Sequence, residues 1–190
     1  AADKMLLNAR ALALLTFTTA PFAVKGIVTD VVDDVSMEPV ATANNRAISI
    51  DLNAGVDPSL LRNTIMPHTA TAKITGTIGG ATVTDQNVDV VVSVAMDAGG
   101  AVGCDGGNQR TLYVAPASGT WISNIADGDD VTLTVTLVGT DIRDIAQDPA
   151  HTPGMGRHTL RSDVTVTVKV NNTVKTSEST VPAADVLACL

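Results

Sequence analysis

The stretch VTLTVTLVGT (residues 131–140) alternates with a period of two: Val131, Leu133, Val135 and Leu137 fall on one side, and Thr132, Thr134 and Thr136 on the other. Successive side chains of a strand point to opposite faces. The segment therefore reads as a strand with one face in an apolar core and the other presenting neutral hydroxyls. Valine and threonine are β-branched and suit a pleated, half-buried surface.

The same pattern recurs outward from it. SDVTVTVKV (162–170) sets Val164, Val166, Val168 and Val170 inward. HTATAKITGTI (68–78) places Ala70, Ala72, Ile74 and Ile78 on one face and Thr69, Thr71, Lys73, Thr75 and Thr77 on the other. RAISIDL (46–52) aligns Ile48, Ile50 and Leu52, and VDVVVSVAM (88–96) aligns Val88, Val90, Val92, Val94 and Met96. Shorter strands are expected over 27–35, 110–115 and 173–176, giving about eight in all. Gly79-Gly80 and Asn171-Asn172 fit two-residue hairpin links, and Asp127-Gly128-Asp129 fits another turn. Asp97 opens a longer loop that runs to Gly107. After residue 30 helical patterning is confined to 58–63 and 141–147.

Apolar inner faces and threonine-rich outer faces imply two sheets packed on each other. The expected fold is mainly β, an antiparallel β-sandwich of the jelly-roll or immunoglobulin-like kind. It occupies residues 26–190, behind an apolar helix or arm over 1–25. The 190 residues are 45% apolar but only 2% aromatic, so the core is built from aliphatic side chains.

That opening segment, AADKMLLNARALALLTFTTAPFAVKG (residues 1–26), breaks the alternation. Residues 11–24 carry no charge, yet fall short of the ~20 needed to span a bilayer, and Pro21 interrupts them. Lys4 and Arg10 before ALALLTF resemble the front of a signal peptide. Ala1 at the start fits trimming of an initiator Met, with folding in the cytoplasm, or cleavage of an upstream signal. As a helix, residues 4–17 are apolar on most sides, with Asp3 able to cap the start. So much apolar surface needs cover, from the chain's own domain or from a neighbouring copy. In the second case Met5, Leu6, Leu7, Leu12, Leu14, Leu15, Phe17 and Phe22 form the assembly interface.

Charge and motifs exclude more than they assign. The net charge is −8, and lysines and arginines are scattered singly. Nucleic acid needs a basic patch, and anionic membrane surfaces repel an acidic chain, so neither is expected as a partner. His68, His151 and His158 sit in expected loops without metal-ligand spacing. No nucleophile elbow or phosphate-binding glycine loop is present. No enzyme activity, cofactor or metal is expected. Asp30, Asp33 and Asp34, and again Asp127, Asp129 and Asp130, form clusters that suit solvated turns or calcium. Cys104 and Cys189 can form one disulfide or remain two thiols. Asn171-Asn172-Thr173 matches the short glycosylation acceptor pattern.

A structural, self-assembling subunit is the reading that accounts for the apolar arm, the neutral sandwich faces and the lack of catalytic groups. Its partners are copies of itself and other structural proteins, in a virion as capsid, decoration or tail protein. An extracellular or cell-surface filament or pilus subunit is the alternative. An immunoglobulin-like adhesin is the second alternative, and it leaves the arm unexplained.

Overall fold

A computed structural model of the chain describes residues 21–56, 70–94, 110–144, 158–172 and 180–188. Within them lie ten strands: β1 (Val24–Val28), β2 (Val31–Val32), β3 (Pro39–Ala43), β4 (Ile48–Leu52), β5 (Ala70–Ile78), β6 (Ala81–Val88), β7 (Val90–Ser93), β8 (Thr111–Pro116), β9 (Asp130–Leu137) and β10 (Val164–Asn171). A 3-10 turn spans Gly139–Asp141 and a short helix, α1, spans Ala183–Leu187. The molecule is mainly β, in two open sheets. The four-stranded sheet has the order β1-β4-β8-β7 and the six-stranded sheet β2-β3-β10-β9-β5-β6.

The alternation of residues 131–137 decides the larger sheet. β9 pairs antiparallel with β10 and with β5, so Val135 stands in register with Val166 on one side and Ala72 on the other. Val131, Leu133, Val135 and Leu137 are buried, and they meet Ile48, Ile50, Leu112 and Val114 of the smaller sheet in one core. Burying each such side chain contributes up to about 1.5–3 kcal/mol. On the opposite face the threonines stand in rows, with Thr134 and Thr167 hydroxyls 3.5 Å apart and Thr136 and Thr165 3.3 Å apart. Cross-strand threonine pairs of this kind stabilise a solvated face.

The core-facing residues expected of β4, β5, β9 and β10 do face the core: Ile48, Ile50, Leu52, Ala70, Ala72, Ile74, Val166, Val168 and Val170 are all buried. The Gly79-Gly80 hairpin joins β5 to β6, with both glycines at positive φ. Other expectations are corrected. The sandwich is not wholly antiparallel, because β3 runs parallel to β10 from Lys169↔Ala41 to Asn171↔Ala43. Residues 88–96 are not one strand. Val88 ends β6 in the large sheet, Asp89 turns the corner, and Val90 begins β7 in the small one. Residues 27–35 are likewise divided between β1 and β2, which lie in different sheets. Strands that bend across the gap in this way make the closed corners of a two-sheet core.

The end of β10 is flanked on both sides, by β9 and β3. No edge is left there for the tight hairpin expected at Asn171-Asn172. The helix expected over 141–147 is not formed where it is described: Ile142 is extended, and Arg143 and Asp144 make isolated bridges to Thr159 and Val56. The helical readings of 4–17 and 58–63, the loop from Asp97 to Gly107 and the strand over 173–176 lie outside the described residues.

One glycine is required by close approach. At Gly76, with φ +150°, a Cβ would stand 2.0 Å from the Asp130 carbonyl oxygen. It sits at a bulge between β5 and β6 and lets β9 come close.

Candidate functional site

Three places carry the residues that sequence reading singled out, and a fourth emerges from the fold. The first is where residues 1–20 join the sandwich. β1 pairs with β4 from Val24↔Leu52 onward, and Asn53 extends that ladder. Its side chain accepts from the Ala23 N–H at 3.0 Å and donates to the Pro21 carbonyl at 2.7 Å, while its own N–H donates to the Ala23 carbonyl at 3.1 Å. Phe22, between these bonds, is 5% exposed and belongs to the core. Phe22 thus anchors the segment to its own sandwich. Met5, Leu6, Leu7, Leu12, Leu14, Leu15 and Phe17 lie outside the described residues.

The second place is the aspartate clusters, whose carboxylates hold turns together. Asp30 accepts from the Ala43 N–H at 2.6 Å and from the Thr180 hydroxyl. Asp33 accepts from the Ser36 hydroxyl at 2.6 Å and the Val35 N–H at 3.0 Å. These bonds, the Ser36 one first, hold its carboxyl below the usual aspartate range. Asp129 clips two turns at once, accepting from Gly79 N–H at 3.0 Å and Ala126 N–H at 2.8 Å. Asp130 pairs with Lys169 across the strands, and Asp34 and Asp127 are exposed. Among the described residues no group of three acidic, histidine or cysteine side chains is placed to hold a metal.

The third is His158. Its Nδ1 lies 3.1 Å from Asp144, and its N–H donates to the same carboxylate at 2.8 Å. The ring is exposed, and the pair ties residue 158 to the extended residues 142–144 that follow the 3-10 turn. His68, His151, Cys104 and Cys189 lie outside the described residues.

The fourth place is a cleft of about 650 Å³ along β6. It follows from the unequal sheets, because six strands facing four leave the inner face of β5 and β6 partly uncovered. Ile74, Ile78, Val83 and Val88 form its floor, and the loop 117–124 forms the opposite wall. That wall is held firmly. Trp121 is 2% exposed and donates from Nε1 to the Arg46 carbonyl at 2.8 Å. Asn44 brackets Ile122, donating to its carbonyl at 2.8 Å and accepting from its N–H at 2.9 Å. Among the described residues the rim carries amides and hydroxyls, with Asp89 as its one carboxylate and no cation.

β6 beside the cleft is an edge strand with almost every residue exposed. Such an edge offers main-chain donors and acceptors to another chain. Its protection is slight: one charged residue, Asp85, held in a left-handed conformation at φ 49° with its N–H bonded to the Thr75 hydroxyl. Sequence reading missed this site. ATVTDQNV interrupts its alternation at Asp85 and Asn87, and the cleft is assembled from residues far apart in the chain.

Among the described residues no helix is long and apolar enough to cross a membrane. No protein-family model matches the chain, and a search of curated proteins finds no match.

Proposed function

We propose that the chain is a structural subunit that assembles with copies of itself, the apolar segment of residues 1–20 docking on a neighbouring copy. The observation that carries this reading is the junction: Asn53 clamps Pro21 and Ala23, and Phe22 is sunk in the core. An apolar segment tethered at a fixed point of a rigid sandwich is suited to transmit a contact between subunits. Within the sandwich class we favour an immunoglobulin-like arrangement over a jelly roll. The parallel pairing of β3 with β10 supports it, since a jelly roll is built from antiparallel Greek keys.

The assembly we favour is a virion shell, decoration or tail. An extracellular filament is the second reading. It is supported by the exposed β6 edge, the kind of edge to which strand addition joins successive subunits. Docking a segment of one copy on a different surface of the next is a head-to-tail contact. It closes into rings or extends as an open filament according to the rotation between copies.

The test is light scattering and electron microscopy of the full chain beside a chain beginning at Pro21. The full chain is expected to form particles or filaments, and the shortened chain a folded monomer. A full chain that stays at 19.4 kDa at every concentration would sink the assembly reading. An adhesin-like binding module would then take its place.

A further inference from the structure

We propose that the cleft beside β6 receives residues 11–20 of a neighbouring copy, added as a strand along Gln86–Asn87–Val88 with Leu15 and Phe17 directed onto the half-buried Ile78, Val83 and Val88. The proposal rests on the assembly reading above and names its receiving surface.

Three observations converge on it. The first is chemical. The sequence ALALLTFTTA is uncharged, and the cleft pairs an apolar floor with an uncharged rim broken by one carboxylate. In a chain of net charge −8, a neutral contact avoids both repulsion between copies and the burial of unpaired charge. The second is the edge itself. β6 has an unused main-chain edge among the described residues, and an added strand satisfies such an edge while its alternate side chains enter the neighbouring pocket.

The third is placement. The segment leaves the sandwich beside Asn53, next to β1, at one edge of the small sheet. The cleft adjoins β6, which turns through Asp89 into β7 at the other edge of that sheet. Donor and receiver thus sit on opposite flanks. Phe17 stands four residues before the Pro21 anchor, so the extended link reaches roughly 14 Å, enough to cross between two sandwiches that lie against each other. Repetition of that contact joins copies head to tail.

The experiment uses the full chain with a benzophenone amino acid in place of Phe17. Nitrogen-15-labelled and unlabelled chains are mixed, assembled, irradiated and mapped by mass spectrometry. The expected cross-links join a labelled chain to an unlabelled one, from position 17 to residues 83–89 or 117–124. In parallel, Val83→Asp is expected to raise the concentration needed for assembly about tenfold or more, which corresponds to about 1.4 kcal/mol. Emission from Trp121 reports that the sandwich is intact. Cross-links confined to single chains would assign the cleft to the chain's own segment and overturn the proposal. Particles whose cross-links fall elsewhere, or that form unchanged with Val83→Asp, would overturn the cleft and leave assembly standing. Absence of particles at every concentration would overturn both.

Discussion

The two sheets share one core but differ in their outer faces. The large sheet turns Thr134, Thr136, Thr165 and Thr167 toward water. The small sheet is covered on that side as well. Val91 and Ala115 on its strands, and Ala47 just before β4, are buried with Ala183 and Val186 of α1, and with Val181, Tyr113 and Leu187 packed around them. Burial also pushes the Tyr113 phenol above its ordinary value, the Asp51 charge adding to the effect and a hydrogen bond with Thr111 opposing it. A second, smaller core therefore lies outside the sandwich, and α1 is its lid. A helix of this length is not stable by itself. The apolar face it buries holds it in place.

One substitution made on each outer face separates the two. Val186→Asp puts a charge into the apolar contact with Ala47 and Val91 and is expected to cost about 4 kcal/mol. Thr165→Asp on the exposed face of the large sheet loses only the Thr136 hydroxyl pair and is expected to cost about 1 kcal/mol or less. Urea unfolding followed by the emission of the single tryptophan measures both. Equal effects would mean that α1 does not cover the small sheet.

That difference also decided what the sequence disclosed. Strands with one wet face must alternate, and Val131–Leu137 and Val164–Val170 could be read residue by residue. Strands dry on both faces need not alternate. VDVVVSVAM reads as a single alternating strand because Val90, Val92 and Val94 keep the period, yet Val91 is buried too, against α1. The corner at Asp89 leaves no mark in such a run. β3 was illegible for a related reason: PVATA pairs with the two-residue β2 on one side and with β10, far along the chain, on the other, and only those partners make it a strand. The aspartates were recognisable as turn residues, but which backbone groups they hold depends on contacts as distant as Asp129 to Gly79. Of the candidate site, the apolar segment was legible from its missing charges. The cleft was not, because it is a consequence of unequal sheet widths.

Two positions in the large sheet, Gly76 and Thr42, sharpen the comparison at a lower energy. Gly76→Ala drives a methyl into the Asp130 carbonyl and forces β9 away from β5. A loss of about 3 kcal/mol is expected, read as a lower urea midpoint. An unchanged midpoint would show that the bulge opens freely. Thr42 stands in register with the core residue Val170, fully buried, and its hydroxyl has no partner among the described residues. Thr42→Val removes that unmet group at nearly constant volume, so a gain of about 1 kcal/mol is expected. A loss instead would mean that the hydroxyl is bonded in solution.

The smallest expected effect lies at the exposed turn between β2 and β3, where no core contributes. Val35 and Met37 are 92% and 73% exposed there, and Met37 adopts a left-handed φ of 58°. The turn is closed by Asp33, whose N–H donates to the Glu38 carbonyl and whose carbonyl accepts from the Met37 N–H. Its carboxylate adds the bonds from Ser36 and Val35 that hold its pKa below the ordinary 3.8. Because folding lowers this pKa, the carboxylate's contribution is fully present above the unfolded value and is lost as pH falls through the folded one. Carboxylate titration by NMR should therefore give Asp33 a midpoint below 3.8, and the protection of the Val35 amide, its exchange relative to the intrinsic rate at each pH, should fall only under that pH. Asp33→Asn should remove the transition while the sandwich stays folded. A midpoint at or above the ordinary value would mean that the two backbone bonds alone close the turn.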